Sequence, residues 1–381
     1  MPLNRGVITP PPALVADLRR GAPGQIINLH GLDTSAARRL NLEVIESGGP
    51  LLYSNDPETY TSPNRVLARE PALPAGPSRV FFHHQNGTGR DQKLAVVVRG
   101  GPGGSWLAIR RRGLAGPWSD PLPAGRRALY RWLSDGQTYP AQRLAEGETA
   151  ILDPALAATG IAHGLTVSGI IDLDVFPGGP PEMAVVACDP EVLVEKAYPS
   201  LAPHPRTGPP FTRGTSSTCD RQLNTSAGGE FDPYYDTSWG VAFLRCGDGL
   251  IDPNLMVSDH LTPVGGPEPL PGNYGLLYRI HLWVTASDRR DLAVLVNPRG
   301  MDFGGAIKLP AGIDAGGEVY LPWSPDSLAD PGLAVIAGRF VPGEGIGLWM
   351  QFMIPGGANA PVNLALVPYH GDPPSGRPTA P

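Results

Sequence analysis

The sequence predicts an all-β chain built from two related β-sandwich or jelly-roll units in tandem, with few and short helices. Three observations carry that reading. Apolar residues make up 41% of the chain and fall in short β-branched runs, while 49 Gly and 45 Pro separate them, which is how an all-β protein spaces strands and corners. "LAVVV" (Leu94–Val98) returns as "LAVLV" (Leu292–Val296) at an offset of 198 that holds to Ala108/Ala306 and Ile109/Ile307. The strand before it, Arg79–His84, returns as Arg279–Val284 at an offset of 200, the slip falling in the polar turn between the two strands, where insertions are tolerated. A period near 200 residues exceeds that of solenoids and propellers, so the repeated unit is a whole domain.

Taken in order, a helical turn or two is expected at Pro12–Arg20, then a strand in "RLNLEVIES" (Arg39–Ser47), where Leu40, Leu42 and Val44 alternate with polar residues. "NDPETYTS" (Asn55–Ser62) has an echo in "FDPYYDTS" (Phe231–Ser238). "RGGPGGS" (Arg99–Ser105) lacks the Gly-Lys-Ser/Thr of a phosphate loop and reads as a wide hairpin connection. Asp153 and Pro154 open a short helix over Asp153–Ala158. "LTVSGIIDLDV" (Leu165–Val175) and "VNLALVPY" (Val362–Tyr369) are strands, and Pro325–Ala329 is a further helical turn. The expected division is a first sandwich over 1–197, a Pro-rich linker over 198–214, a second sandwich over 215–370 and a mobile tail over 371–381. Such a linker should be cut by a protease near Arg206 or Arg213 to release two compact halves.

The formal net charge of −6 argues against nucleic acid as a general partner. The local "RRRG" at Arg110–Gly113 reads as a loop of solvated arginines. No apolar run reaches the length of a membrane span, and the N-terminal stretch lacks a secretory-signal pattern. The three cysteines have no CxxC spacing, so no structural zinc is expected. Cys219 and Cys246 could pair as a disulfide if the protein is exported, leaving Cys188 as a small buried hydrophobe.

No HExxH, GxSxG or phosphate-loop motif occurs, so no catalytic residue, metal or cofactor is expected. Asp172 and Asp174 share one face of a strand and read as a solvated pair. Asp232, Tyr234, Tyr235, Asp236 and Trp239 combine aromatic faces with acidic acceptors, a composition suited to a glycan and equally to a loop packed under a strand. Alternation in the repeated strand turns Val80, Phe82, Ile280 and Leu282 to the core. The opposite face carries Arg79, Phe81 and His83 in one copy and Arg279, His281 and Trp283 in the other. Phe81, His83, His281 and Trp283 therefore mark a surface to be covered by the rest of the chain or by another subunit. If it is a subunit contact, assembly should respond to pH between about 5 and 7 through the two histidines.

"PGNYGLLYRIHLWV", "LAVLVNPRG" and "FGGAIKLPAG", with "RVFFHHQNGTG" in the first copy, resemble surface proteins of Gram-positive bacteria. Similar segments there are often followed by a stalk module, also called the copper amine oxidase N-terminal domain; that module is not seen here. The resemblance implies a non-catalytic cell-surface or extracellular role. The partner to expect is a second copy or another surface protein, with a glycan as the further candidate. Two further readings compete: a coat or capsid-type protein with two jelly rolls per chain, and a carbohydrate-binding or carbohydrate-active protein. Sandwiches host all three.

Overall fold

In the computed structural model residues 7–207, 212–262, 266–310, 319–322 and 330–371 are described. Helix α1 (Pro12–Arg20) is followed by β1 (Ile26–Asn28), β2 (Arg38–Arg39) and β3 (Glu43–Ser47). The next stretch holds β4 (Leu51–Ser54), β5 (Thr59–Tyr60), β6 (Arg65–Glu70), β7 (Gly76–Asn86), β8 (Lys93–Arg99) and β9 (Ser105–Trp118). After α2 (Pro121–Ser134) come β10 (Gln142–Leu144), β11 (Thr149–Ile151), α3 (Pro154–Ala157), β12 (Thr166–Val175) and β13 (Glu182–Cys188). Helix α4 (Val194–Ala197), β14 (Ala202–Pro203) and β15 (Arg213–Ser216) lead to β16 (Asp220–Asn224), β17 (Tyr235–Asp236), β18 (Ala242–Cys246), β19 (Leu255–Val257) and β20 (Glu268–Leu270). The chain ends in β21 (Leu277–Thr285), β22 (Asp291–Asn297), β23 (Ala306–Leu309), β24 (Val319–Pro322), β25 (Leu333–Phe340), β26 (Ile346–Phe352) and β27 (Val362–Tyr369).

These strands make two sandwiches, so the all-β expectation holds. In the first, β11-β8-β13-β6 faces β10-β9-β12-β7. In the second, β25-β22-β27-β18 faces β24-β23-β26-β21. Counted along the chain, both read sixth-third-eighth-first against fifth-fourth-seventh-second, the double-sheet order of a jelly roll. The strands aligned by the offset of 198, β8 and β22, hold the same place in both orders. Leu94, Val96 and Val98 enter the first core with Val80 and Phe82, and Leu292, Val294 and Val296 enter the second with Ile280 and Leu282.

The sheets do not follow the expected division of the chain. β2 and β3 come before the first roll yet pair with the second, β2 parallel to β18 and β3 antiparallel to β16. β14 and β15 come after the first roll and pair with it, β14 parallel to β6 and β15 antiparallel to β4. Each roll is thus completed by a strand pair that directly precedes the other roll in sequence. The supposed linker is partly sheet, and Arg213 is a buried strand residue that donates to the Asp259 carboxylate and the His204 carbonyl. The strand expected over Arg39–Ser47 is broken into β2 and β3. The helical turn at Pro325–Ala329 lies outside the described residues.

Helix α2, fourteen residues long, is the element absent from the sequence reading. Its signals are present: Asp120 accepts a hydrogen bond from Leu122 N, Pro121 opens the first turn, and Leu122, Leu129, Trp132 and Leu133 share the buried side. The outer faces of three of the four main sheets are covered. Helix α1 lies over β22 and β27, α3 and α4 lie over β8 and β13, and α2 with the second roll lies over β7, β9 and β12.

Candidate functional site

The two equivalent strands β7 and β21 meet opposite surroundings. On β7, Arg79, Phe81 and His83 are completely buried. Phe81 stacks on Tyr53 at 5.4 Å between ring centres, and the backbone of Gly275 from the second roll lies against it, so close that a Cβ there would sit 2.9 Å from the Phe81 side chain. Gly356, also from the second roll, closes over His83, where an added Cβ would come within 2.4 Å of the ring. The expected covering of this face therefore comes from within the chain.

On β21 the same positions are open. Trp283 is 51% exposed and His281 is exposed, and Ile45 on β3 is exposed at the sheet edge. Register places Trp349 of β26 directly across from His281, while Gln222 and Asn224 of β16 flank Arg279 and His281 on the other side. Trp283 and Trp349 are thus diagonal neighbours, about 7–8 Å apart by strand geometry. The backbone of Gly345 lies against the edge of the Trp283 ring, where an added Cβ would approach the indole to 2.8 Å. Trp349 is half-buried, the Gln351 side-chain oxygen is buried, and α2 contacts β23 and β24 at the far side of the sheet, so the open part of this face is the stretch around His281 and Trp283. Trp349 was not singled out in the sequence, although the alternation of Leu348, Met350 and Phe352 inward turns it outward together with Gln351.

Arg79 ties the first roll to the second. It binds the Asp172 carboxylate with Nε at 2.6 Å, reaches the Cys219 and Gly275 carbonyls at 2.6 and 3.1 Å, and pairs with Asp220 at 3.1 Å. Asp220 also receives Arg279, the equivalent arginine of the second roll, at 2.7 Å. Burial alone would raise the Asp172 carboxyl, but the charge and hydrogen bonds of Arg79, with Arg111 and Arg110, hold it below the usual carboxylate range. The solvated pair read at Asp172 and Asp174 is corrected accordingly: Asp172 is buried as a structural counter-ion, and only Asp174 reaches solvent, 3.4 Å from Arg110. Nor is "RRRG" a solvated loop. It lies on β9, with Arg111 stacked 3.5 Å from the Trp132 ring centre and Arg112 paired with Asp153.

The aromatic and acidic loop at 231–240 is used up in its own packing. Tyr235 is buried and donates to the Gly240 carbonyl; Asp236 accepts from Ser238, Thr285 and Ser287. These donors outweigh the effect of burial and hold the Asp236 carboxyl far below its ordinary value. Asp232 accepts from Arg38 and from Asn41 N, and the Arg38 guanidinium lies 4.1 Å over Trp239, whose ring also meets Tyr234 at 5.2 Å. The loop anchors the exchanged β2 in the second roll. Cys188, Cys219 and Cys246 are free and buried, so the possible Cys219–Cys246 disulfide does not form.

No known family and no curated protein matches the chain. Among solved structures, the CUB1-EGF-CUB2 domains of human MASP-1/3 share 11% identity at a TM-score of 0.17, over 86% of this chain and 99% of that one. A protein of unknown function from Pseudomonas syringae pv. tomato shares 11% identity at a TM-score of 0.10, over 84% and 100%. Likenesses at these scores carry no argument. Among the described residues no helix is long and apolar enough to cross a membrane.

Proposed function

We propose that the chain is a non-catalytic adhesive protein of the cell surface or extracellular space, and that the open sheet of its second jelly roll grips a polysaccharide strand. One observation supports the reading: the outer faces of three main sheets are covered, and the fourth leaves Trp283 exposed beside a half-buried Trp349, among amide, imidazole and guanidinium groups. Indole planes stack on the C–H faces of sugars while the flanking polar groups hydrogen-bond to hydroxyls. The polar surround of Gln222, Asn224, His281 and Arg279 favours such a ligand over a protein partner, because protein interfaces concentrate apolar residues at their centre. The resemblance to Gram-positive surface proteins supports an envelope setting.

Cosedimentation with purified cell-wall polysaccharide tests this. The chain should pellet with the polysaccharide, and Trp283→Ala and Trp349→Ala should each weaken retention by about 2 kcal/mol, as loss of a buried aromatic anchor does. No retention on any wall polysaccharide would reject the glycan. Concentration-dependent dimers lost in Trp283→Ala would assign the face to a second copy instead. Two jelly rolls in one chain also suit a coat protein, for which regular shells in electron micrographs would be the sign. Hydrolysis of the bound glycan would overturn the non-catalytic reading.

A further inference from the structure

At the seam between the two rolls lies a cavity of about 430 Å³, away from the open sheet and lined by residues of both. Tyr53, Asn55 and Glu58 come from the first roll, and Asp248, Asn254 and Tyr274 from the second. Gly247, Gly272, Gly356 and Gly357 form part of the wall, so side chains do not fill the space. The lining holds two carboxylates and no Lys, Arg or His.

The two acids are not equivalent. Asp248 already accepts from the backbone of Leu250, Ile251 and Asp252. The Glu58 side chain, by contrast, has no hydrogen-bond donor among the described residues. Its ion-pair contact among the described residues is His83, with Nε2 3.7 Å from Oε1. His83 is completely buried and neither ring nitrogen has a partner. Burial pulls its pKa down to about 4, so it is uncharged at neutral pH and does not neutralise the carboxylate. Asn55 and Asn254 each add a buried amide oxygen without a donor.

Buried polar groups are nearly always partnered, and an unpaired partly buried charge is costly. Glu58 lines the cavity with no donor of its own and no cation in the lining, which fits a ligand that brings both donors and positive charge. No three His, Cys, Asp or Glu side chains among the described residues gather to hold a metal ion, whereas Tyr53 and Tyr274 supply aromatic walls suited to an organic cation. We propose that the seam cavity binds a small organic cation carrying a primary ammonium group, with Glu58 as its counter-ion.

This site is independent of the sheet face and is tested by itself. The full chain is titrated calorimetrically with ethanolamine, putrescine and glucosamine, with glucose and calcium chloride alongside. At least one amine should bind saturably at one site per chain, with glucose at least tenfold weaker. Glu58→Gln should weaken the amine at least tenfold, and so, to a lesser extent, should Asn254→Leu on the opposite wall. Glu195→Gln, an exposed charge on α4, should leave binding unchanged; unfolding midpoints establish that each variant is folded. Failure of all three amines to bind overturns the proposal. So does amine binding indifferent to Glu58→Gln and Asn254→Leu, or a preference for calcium.

Discussion

β7 and β21 share a pattern of Arg, apolar and imidazole side chains at corresponding outward positions, yet one is sealed and the other open. The seal on β7 is made by glycine backbone: Gly275 and Gly356 bring the second roll so close that no side chain could intervene. Over β21 no such layer exists among the described residues. The same alternation therefore gives a domain interface in one roll and a free surface in the other. Outward apolar residues on a strand say that something covers them, and the surroundings decide whether it is the chain itself.

The rolls should be most alike in their cores. Val96→Asp and Val294→Asp each place a carboxylate where no partner exists, at a cost of several kcal/mol. Because each roll is completed by strands belonging to the other's side of the sequence, either substitution should abolish the single cooperative melting of the whole chain. Two separate calorimetric transitions, with one roll surviving, would break the picture of interlocked rolls. The same interlocking revises the expectation of clean cleavage near Arg206 or Arg213: nicked chains should remain together on gel filtration.

The arginines should differ next. Arg79→Met leaves Asp172 buried with its principal partner gone, a change that typically costs about 3–5 kcal/mol. Arg279 is only partly buried, and Arg279→Met should cost about 1 kcal/mol or less. Urea denaturation at neutral pH reads both, and equal losses would mean that the seam contributes nothing special.

The histidines should separate by pH. Burial lowers His83 to about 4 and His84 to about 3, so both are charged first in the unfolded chain. Stability present above the unfolded value of about 6.5 is then lost as pH falls towards these folded values, by about 1.4 kcal/mol per pH unit for each group. His83→Gln should flatten the slope of stability between pH 6.5 and 4 by about one proton, leaving the His84 contribution. This replaces the expected pH-sensitive assembly through both histidines, since His83 is not on a surface.

Smallest in stability is Trp283→Ala. A half-exposed indole on an open sheet should cost about 0.5 kcal/mol or less by thermal melting, while its effect on polysaccharide retention should be large if the proposed binding holds. Glu58 belongs beside it: burial raises its carboxyl, so its charged form opposes folding, and Glu58→Gln should leave stability unchanged or slightly higher while removing amine binding.

Alternation over Arg79–His84 and Arg279–Val284 was enough to separate core from outward residues, because period-2 burial is a local property of a strand. Helix α2 carries its start signal at Asp120 and Pro121, but Arg126, Arg127 and Arg131 interrupt its apolar positions and mask the helical period. The exchange of β2–β3 with β14–β15 had no local signature: two-residue strands such as Arg38–Arg39 carry no periodicity, and their partners lie far along the chain. The seam cavity was hidden for the same reason. Glu58 sits in an unremarkable turn, and only the meeting of two rolls gives it Asn254 and Tyr274 as neighbours.

The exchanged strands also set a schedule for biosynthesis. β2 pairs Arg38 with Ala242, a residue made about two hundred positions later, which at about 5–20 residues per second is a wait of roughly 10–40 s. During that interval Val44 and Ile45 have no completed sheet to join, whereas the first roll has all its strands once β15 has emerged. The early segment leaves the ribosome as an unpaired strand beside a finished roll, open to capture by chaperones or by the equivalent segment of a neighbouring nascent chain. A protein wired this way places its greatest hazard of misassembly at the beginning of synthesis, in strands that commit last.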